Sequence, residues 1–246
     1  MAAEPRRVDK PAFYALRPGG WRDLVTVLHL PYTAWHLSYV GLGAAAAPVL
    51  HLDRLGAALG AFFLAVGIGA HALDELHGHP LQTRLSDRVL IGLAAASVAA
   101  AVAIGIVGGI TVSPTIFPLV AAGAFLVVAY NLELFGGKLH SDAWFALAWG
   151  AFPAFTGFWA NALELTLPGV AVTAGCYVFS VAQRRLSTPV RELRRRTVAV
   201  SGVQELRDGR RVALTQARLS APLDGALSAL SLAVVLLACS LVVARL

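Results

Sequence analysis

The chain has 246 residues, of which 57% are hydrophobic and 14% are charged, and it carries a formal net charge of +6. Its mean hydropathy is +0.69. A composition this apolar excludes an ordinary soluble domain, and its continuous apolar runs favour membrane-spanning helices over the alternating strands of a membrane barrel.

Seven apolar runs approach or exceed the roughly twenty residues that a helix needs to cross a bilayer. We therefore predict an all-α polytopic membrane protein in which residues 1–22 are a basic tail and residues 23–246 are one transmembrane domain. The long polar segment 186–221 is predicted to be a loop with some amphipathic helix and a turn at Asp208-Gly209. No removable signal peptide is recognisable at the start of the chain. The predicted helices lie near 23–50, 55–77, 88–111, 113–132, 142–163, 166–185 and 222–244.

Basic residues are distributed unequally between the predicted loops. Eighteen of the 20 Lys and Arg residues fall in the tail and in the loops on the same side of the bundle, and only Arg54 and Arg245 lie on the other side. The positive-inside rule therefore predicts a cytoplasmic N-terminus in a multi-pass protein of the plasma membrane. Attraction to anionic lipids accounts for this basic face without nucleic-acid binding.

A group of ionisable side chains ends the second predicted helix. His71, Asp74 and Glu75 are three and four residues apart and so share a helix face, and His77 precedes the helix-breaking Gly78. Such a group is costly at a membrane boundary, and its imidazoles and carboxylates are typical metal ligands. We predict a functional metal site here, with an ordinary solvated helix end as the alternative.

Further polar residues are predicted to reach the same side of the bundle. His29 and His71 lie at similar depth on sequential helices, and His36 is two turns deeper on the first of them. The alternative for these histidines is hydrogen bonding between helices. The other residues expected on this side are Tyr130, Asn131, Glu133, Lys138, His140, Asp142, Gln183, Arg184 and Arg185.

Three motifs follow one another along residues 22–202. The first joins Ala70-His71-Ala72-Leu73-Asp74 to Gly78-His79-Pro80-Leu81-Gln82-Thr83. The second comprises Ala129-Tyr130, Lys138 and the Gly- and Pro-containing helix that starts near Trp149, and the third is Arg195-Arg196-Thr197-Val198-Ala199-Val200. In this order and placement they resemble the motifs of the UbiA superfamily of intramembrane prenyltransferases.

The resemblance implies a UbiA-like bundle that transfers an isoprenoid from its diphosphate at the cytoplasmic face. It implies that Asp74, Glu75 and Tyr130 are catalytic and that Mg²⁺ is the cofactor, whereas the histidines favour Zn, Fe or Mn. The predicted metal ligands are His29, His71, Asp74, Glu75, His77 and Glu133. The residues predicted to bind the diphosphate are Arg84, Lys138, Arg184 and Arg185.

The family pattern is incomplete in this chain. Ala70 and His71 stand where the family has Asn and Asp, the second aspartate motif is absent between Gln183 and Arg196, and seven helices are predicted where the family usually has nine. Three functions therefore remain open. They are a prenyltransferase that uses arginines in place of the second metal, a His/carboxylate metal-dependent hydrolase or oxidoreductase, and a lipid-binding or scaffold relative that has lost catalysis.

Overall fold

The computed structural model describes residues 11–246 and is 72% helical. Three basic residues of the predicted tail, Arg6, Arg7 and Lys10, lie outside the described residues. The elements in chain order are α1 (Trp21–Val27), α2 (Leu30–Ala45), α3 (Leu52–Leu76), α4 (Asp87–Thr111), α5 (Phe117–Asn131), α6 (142–162), α7 (Leu167–Arg195), β1 (Val203–Glu205), β2 (Arg211–Ala213) and α8 (Gln216–Val243).

Four helical segments are long and apolar enough to cross a membrane. They are Leu52–Leu76, Asp87–Thr111, Pro114–Asn131 and Gln216–Val243, where the third includes a short 3₁₀ turn before α5. This fold is consistent with the predicted helical membrane protein. The other three predicted spans coincide with α1 and α2 taken together, with α6, and with α7. The total of seven spans and the cytoplasmic N-terminus stay predictions.

The first predicted span is two helices rather than one. His29 adopts the left-handed conformation, with φ 45° and ψ 47°, and separates α1 from α2. This conformation costs a residue with a side chain roughly 1 kcal/mol or more, so it is uncommon outside turns and functional sites. The break places His29 inside the bundle, where the residue is 7% exposed.

α2 is the central helix of the bundle. It makes its most extensive contacts with the Phe152–Ala162 half of α6 and with α8. Gly43 lies against the carbonyl group of Ala154, and Gly157 lies against that of Val40. Because neither glycine has a side chain, the two backbones approach closely, as in other pairs of membrane helices.

Two helices contain π-helical segments. These segments are Phe63–Ala70 in α3 and Leu147–Ala151 in α6. A π segment widens the helix by one residue and is frequent at functional sites. Here each segment contributes a residue to the wall of the polar pocket described below, Val66 in α3 and Trp149 in α6.

The predicted loop 186–221 is more regular than the sequence indicated. α7 continues through Pro189 to Arg195, and an antiparallel hairpin then pairs Val203 with Ala213 and Glu205 with Arg211. The predicted turn at Asp208-Gly209 is confirmed: Asp208 accepts a hydrogen bond from the backbone of Arg210, and Gly209 has φ 82°. Ten additional residues of α7 therefore carry part of the basic segment on a helix.

Candidate functional site

A polar pocket with a volume of about 1000 Å³ lies at one end of the bundle. It lies where α2, α3, α5, α6 and α7 converge, and residues Pro11–Tyr14 form part of its wall. Its ionisable lining residues are Tyr14, His29, Tyr32, His36, His71, Asp74, Tyr130, His140, Arg184, Arg191, Arg194 and Arg195. The expected convergence of polar residues from several helices is therefore found.

Two histidines of the polar pocket, the buried His29 and the half-buried His71, stack on each other. The ring centroids of His29 and His71 are 4.0 Å apart and the planes differ by 13°. His71 Nδ1 lies 3.3 Å from the carbonyl oxygen of Gly67, which the π segment of α3 presents to it. The predicted proximity of these two histidines is confirmed.

The polar pocket contains two further histidines that are held by backbone groups. His36 Nδ1 lies 2.7 Å from the carbonyl oxygen of Trp149, so this nitrogen carries the proton and donates. His140 Nδ1 donates in the same way to the carbonyl oxygen of Tyr130 at 3.1 Å, and its ring stacks on the Tyr130 ring at 4.4 Å. The orientation of each imidazole is therefore fixed by a backbone carbonyl group, of α6 for His36 and of α5 for His140.

Three buried polar atoms of the pocket have no hydrogen-bond partner within residues 11–246. They are His29 Nε2, Tyr130 Oη and Gln183 Oε1. All three residues are at most 7% exposed. A buried polar group without a partner costs about 1–3 kcal/mol, so atoms of this kind that line a cavity are typical of a site completed by water or a ligand.

α7 contributes four arginines to the polar pocket. The guanidinium of Arg184 donates to Asp142 at 2.7 Å and lies over the Phe145 ring, 5.2 Å from its centroid. Arg194 forms a two-point ion pair with Asp224 of α8, in which Nη1 and Oδ1 are 3.1 Å apart. The other two are Arg191 and Arg195, and no described carboxylate pairs with either.

The unpaired arginines concentrate positive charge beside buried side chains. Burial lowers the pKa of Arg191, and the charges of Arg184 and Arg195 lower it further. Burial also raises the pKa of Tyr14, whose hydroxyl is influenced by Asp74 as well as by Arg191 and Arg195. These groups are therefore close enough to influence one another within the pocket, and the excess of positive charge there favours an anionic ligand.

The chain between the Pro11–Tyr14 wall and α1 is held in place by Asp23. This residue is 2% exposed, and its carboxylate accepts hydrogen bonds from the backbone of Gly19 at 2.8 Å and of Arg84 at 3.1 Å. Leu16 N also donates to Thr26 Oγ1 at 3.1 Å. A buried acid thus ties the segment before α1 to the loop before α4.

An apolar pocket of about 970 Å³ adjoins the polar pocket. It lies between α3, α4, α5 and α6 and is lined mainly by Ala, Gly, Val, Ile, Leu and Phe. Val66 and Trp149 line both pockets, and each belongs to a π-helical segment. The two cavities therefore meet at one wall, polar on one side and apolar on the other.

Asp74 and Glu75 are neighbours in sequence and have different surroundings. Asp74 lines the polar pocket. Glu75 is fully buried outside it, and its carboxylate accepts hydrogen bonds from Leu81 N at 2.9 Å, Thr83 N at 3.0 Å and Thr83 Oγ1 at 2.8 Å. The two carboxylates therefore do not share a site, and Glu75 orders the loop that follows α3.

Several predicted site residues lie outside the polar pocket. His77 is exposed at the end of α3, and Glu133 is exposed and lies 3.9 Å from His140. Of the predicted diphosphate-binding residues, the structure brings only Arg184 to the pocket. The side chains that remain exposed away from it are those of Arg84, Lys138 and Arg185.

The donor set of the pocket does not fit the Mg²⁺ centre that the resemblance implies. Among the described lining residues Asp74 is the one acid, whereas Mg²⁺ prefers several oxygen ligands in an octahedral arrangement. Residues 11–246 contain no group of three or more His, Cys, Asp or Glu side chains with metal-binding geometry. The stacked rings of His29 and His71 also face each other rather than a common point between their nitrogens.

The sequence contained a signal for Arg191, Arg194 and Arg195, which line the pocket and were not among the predicted site residues. Arg184 and Arg191 are two helical turns apart, and Arg194 and Arg195 follow one turn later, so all four lie on one side of a helix. The prediction ended the helix near residue 185 and assigned the polar residues that follow it to a loop with some amphipathic helix. Helical periodicity extended through Pro189 would have identified this face.

Comparison of the chain with protein-family models, curated proteins and solved structures gives no match. Its class is therefore defined by its own fold and site. It is a helical protein with four segments able to cross a membrane, and it contains an arginine-rich polar pocket that meets an apolar one.

Proposed function

We propose that the protein is a divergent intramembrane prenyltransferase that binds an isoprenoid diphosphate. The diphosphate occupies the polar pocket and the isoprenoid chain occupies the apolar pocket. The observation that carries this proposal is the shared wall of Val66 and Trp149, because it places a cationic cavity directly beside an apolar one.

The chemistry of the two pockets matches the two parts of such a substrate. Guanidinium groups bind phosphate oxygens in two-point, charge-assisted contacts, and four of them line the polar pocket. The apolar pocket lies between α3, α4 and α5, which belong to three of the four segments able to cross a membrane. An isoprenoid tail there stays in an environment as apolar as the lipid it leaves.

Transfer requires the allylic carbon–oxygen bond to break, with its electron pair leaving on the diphosphate. The acceptor then bonds to the allylic carbon and loses a proton. Arginines beside the diphosphate stabilise the charge that develops on the leaving group. The buried atoms His29 Nε2 and Tyr130 Oη are available to orient the acceptor, and Asp74 lies next to the cation formed on the isoprenoid.

A direct assay tests this proposal. Purified protein is incubated with radiolabelled prenyl diphosphates and a membrane lipid extract, with and without divalent metals, and labelled lipid and released diphosphate are measured. We expect transfer that falls at least tenfold in Asp74→Asn but not in Asp53→Asn, an exposed acid near the other end of the same helix. Absence of both transfer and diphosphate release under every condition contradicts the proposal.

The second candidate function is a lipid-binding or scaffold relative without catalysis. It is favoured by the single described carboxylate in the pocket, because the prenyltransferases that this chain resembles use two aspartate motifs. It predicts that prenyl diphosphates bind and are recovered unchanged. The same assay separates the two, since binding without turnover is the expected result for the scaffold alone.

A further inference from the structure

The four arginines of α7 differ in how their charge is balanced. Arg184 is paired with Asp142 and Arg194 with Asp224. Arg191 and Arg195 have no acidic partner within residues 11–246, although both line the pocket. Because Arg191 and Arg195 lack a counterion, their guanidinium groups repel each other unless an anion binds between them.

The ion pairs of Arg184 and Arg194 hold the helix that presents the two unpaired arginines. Asp142 begins α6 and Asp224 belongs to α8, so the pairs tie α7 to a helix on each side. Arg191 lies between them along α7. Its guanidinium is therefore presented by a helix fixed on both sides, and its Nη2 is 3.2 Å from Thr188 Oγ1.

Metal ligands are scarce where the positive charge is concentrated. Asp74 is the one described acid that lines the pocket, and Glu75 is fully engaged by the loop of Leu81 and Thr83. A divalent cation placed here would also be repelled by the arginines. The arginines thus supply positive charge where the family that the chain resembles uses two magnesium ions.

We infer that Arg191 and Arg195 bind the diphosphate group directly and that this binding needs no divalent cation. The inference rests on the proposed function for the identity of the ligand. It assigns to α7 the position of the headgroup, between the two unpaired guanidinium groups that line the pocket. The expected ligands are isoprenoid diphosphates and, more weakly, inorganic diphosphate.

Binding in a chelator tests the inference. Full-length protein in detergent is titrated with farnesyl diphosphate and with inorganic diphosphate, in EDTA and in Mg²⁺, by calorimetry. We expect the dissociation constant for farnesyl diphosphate to be the same within about threefold in both conditions. Charge-assisted hydrogen bonds are worth about 1.5–3 kcal/mol, so Arg191→Gln or Arg195→Gln is expected to weaken binding about 10- to 100-fold in EDTA.

Matched variants separate binding from folding. Arg196→Gln removes an exposed charge next to Arg195 that does not line the pocket, and it is expected to bind like the parent protein. Arg191→Lys keeps the charge without the two-point geometry and is expected to restore part of the loss. Thermal unfolding of each variant in the same detergent establishes that it is folded.

The outcomes distinguish the inference from the proposed function. Binding that disappears in EDTA, or that is unchanged in Arg191→Gln and Arg195→Gln, overturns the inference while the proposed function stands. Failure of both diphosphates to bind the parent protein, with or without Mg²⁺, overturns the proposed function and the inference together. Metal-independent binding that is lost only in the two arginine variants supports both.

Discussion

The imidazole ring of His29 stacks on that of His71 at 4.0 Å, and this contact joins the break before α2 to the polar end of α3. His29 makes this contact with its backbone in the energetically unfavourable left-handed conformation, and its Nε2 atom has no hydrogen-bond partner in the described chain. A strained residue that places a polar atom in a cavity is typical of a functional position.

The first prediction concerns His29. Asn tolerates the left-handed conformation better than most residues, so His29→Asn is expected to preserve the fold while removing the imidazole. We expect transfer to fall roughly tenfold or more, because a polar contact in the pocket is lost. Product formation and thermal unfolding are measured together, and full activity in this variant would show that His29 is only a packing residue.

The second prediction compares the two adjacent acids. Glu75→Ala leaves the backbone amides of Leu81 and Thr83 buried without acceptors, and we expect a loss of about 3 kcal/mol or more of stability. Asp74→Asn is expected to leave stability unchanged within about 0.5 kcal/mol, since Asp74 faces the pocket. Thermal unfolding in detergent measures both, and equal stability of the two variants would contradict the different roles.

The third prediction concerns the contact between α2 and α6. A methyl group on Gly43 or Gly157 meets a backbone carbonyl of the other helix, so Gly43→Ala and Gly157→Ala are each expected to cost about 1–3 kcal/mol. Gly92→Ala on α4 is the control, because no atom lies within 4 Å of its added Cβ. We expect Gly92→Ala to be neutral or stabilising by up to about 1 kcal/mol, and the reverse order would refute the packing.

The fourth prediction concerns the apolar pocket. Ala61 lines it, so Ala61→Phe is expected to weaken binding of farnesyl diphosphate roughly tenfold and to leave binding of inorganic diphosphate unchanged. Ala99→Phe, an exposed substitution on α4 outside both pockets, is the control. If Ala61→Phe weakened both ligands equally, or neither, the tail would not occupy this pocket.

Hydropathy and charge were enough to predict the helical membrane class and the clustering of polar groups at one end of the bundle. Spacing alone could not separate Asp74 from Glu75, because their different partners come from residues 81–83, beyond the helix. The break at His29 was equally hidden, since no glycine marks it. The hairpin and the arginine face of α7 were missed because residues 186–221 were interpreted as one polar loop with some amphipathic helix and a turn.

Asp23 illustrates what sequence patterns do not reveal. Its position in the first turn of α1 is typical of an acid that favours a helix N-terminus. The structure shows that it also accepts hydrogen bonds from two separate loops, at Gly19 and Arg84. Long-range contacts of this kind follow from the packing of the whole bundle, so the local sequence contains no signal for them.

The central claim is that one amphiphile occupies both pockets. Photocrosslinking with a prenyl diphosphate that has a photoreactive group near the end of its chain, followed by mass spectrometry, tests it most directly. The account predicts labelling of α3, α4, α5 or α6 residues that line the apolar pocket, and loss of that labelling in Arg191→Gln or with excess unlabelled ligand. Labelling only of lipid-facing residues, or labelling that excess unlabelled ligand fails to reduce, would contradict it.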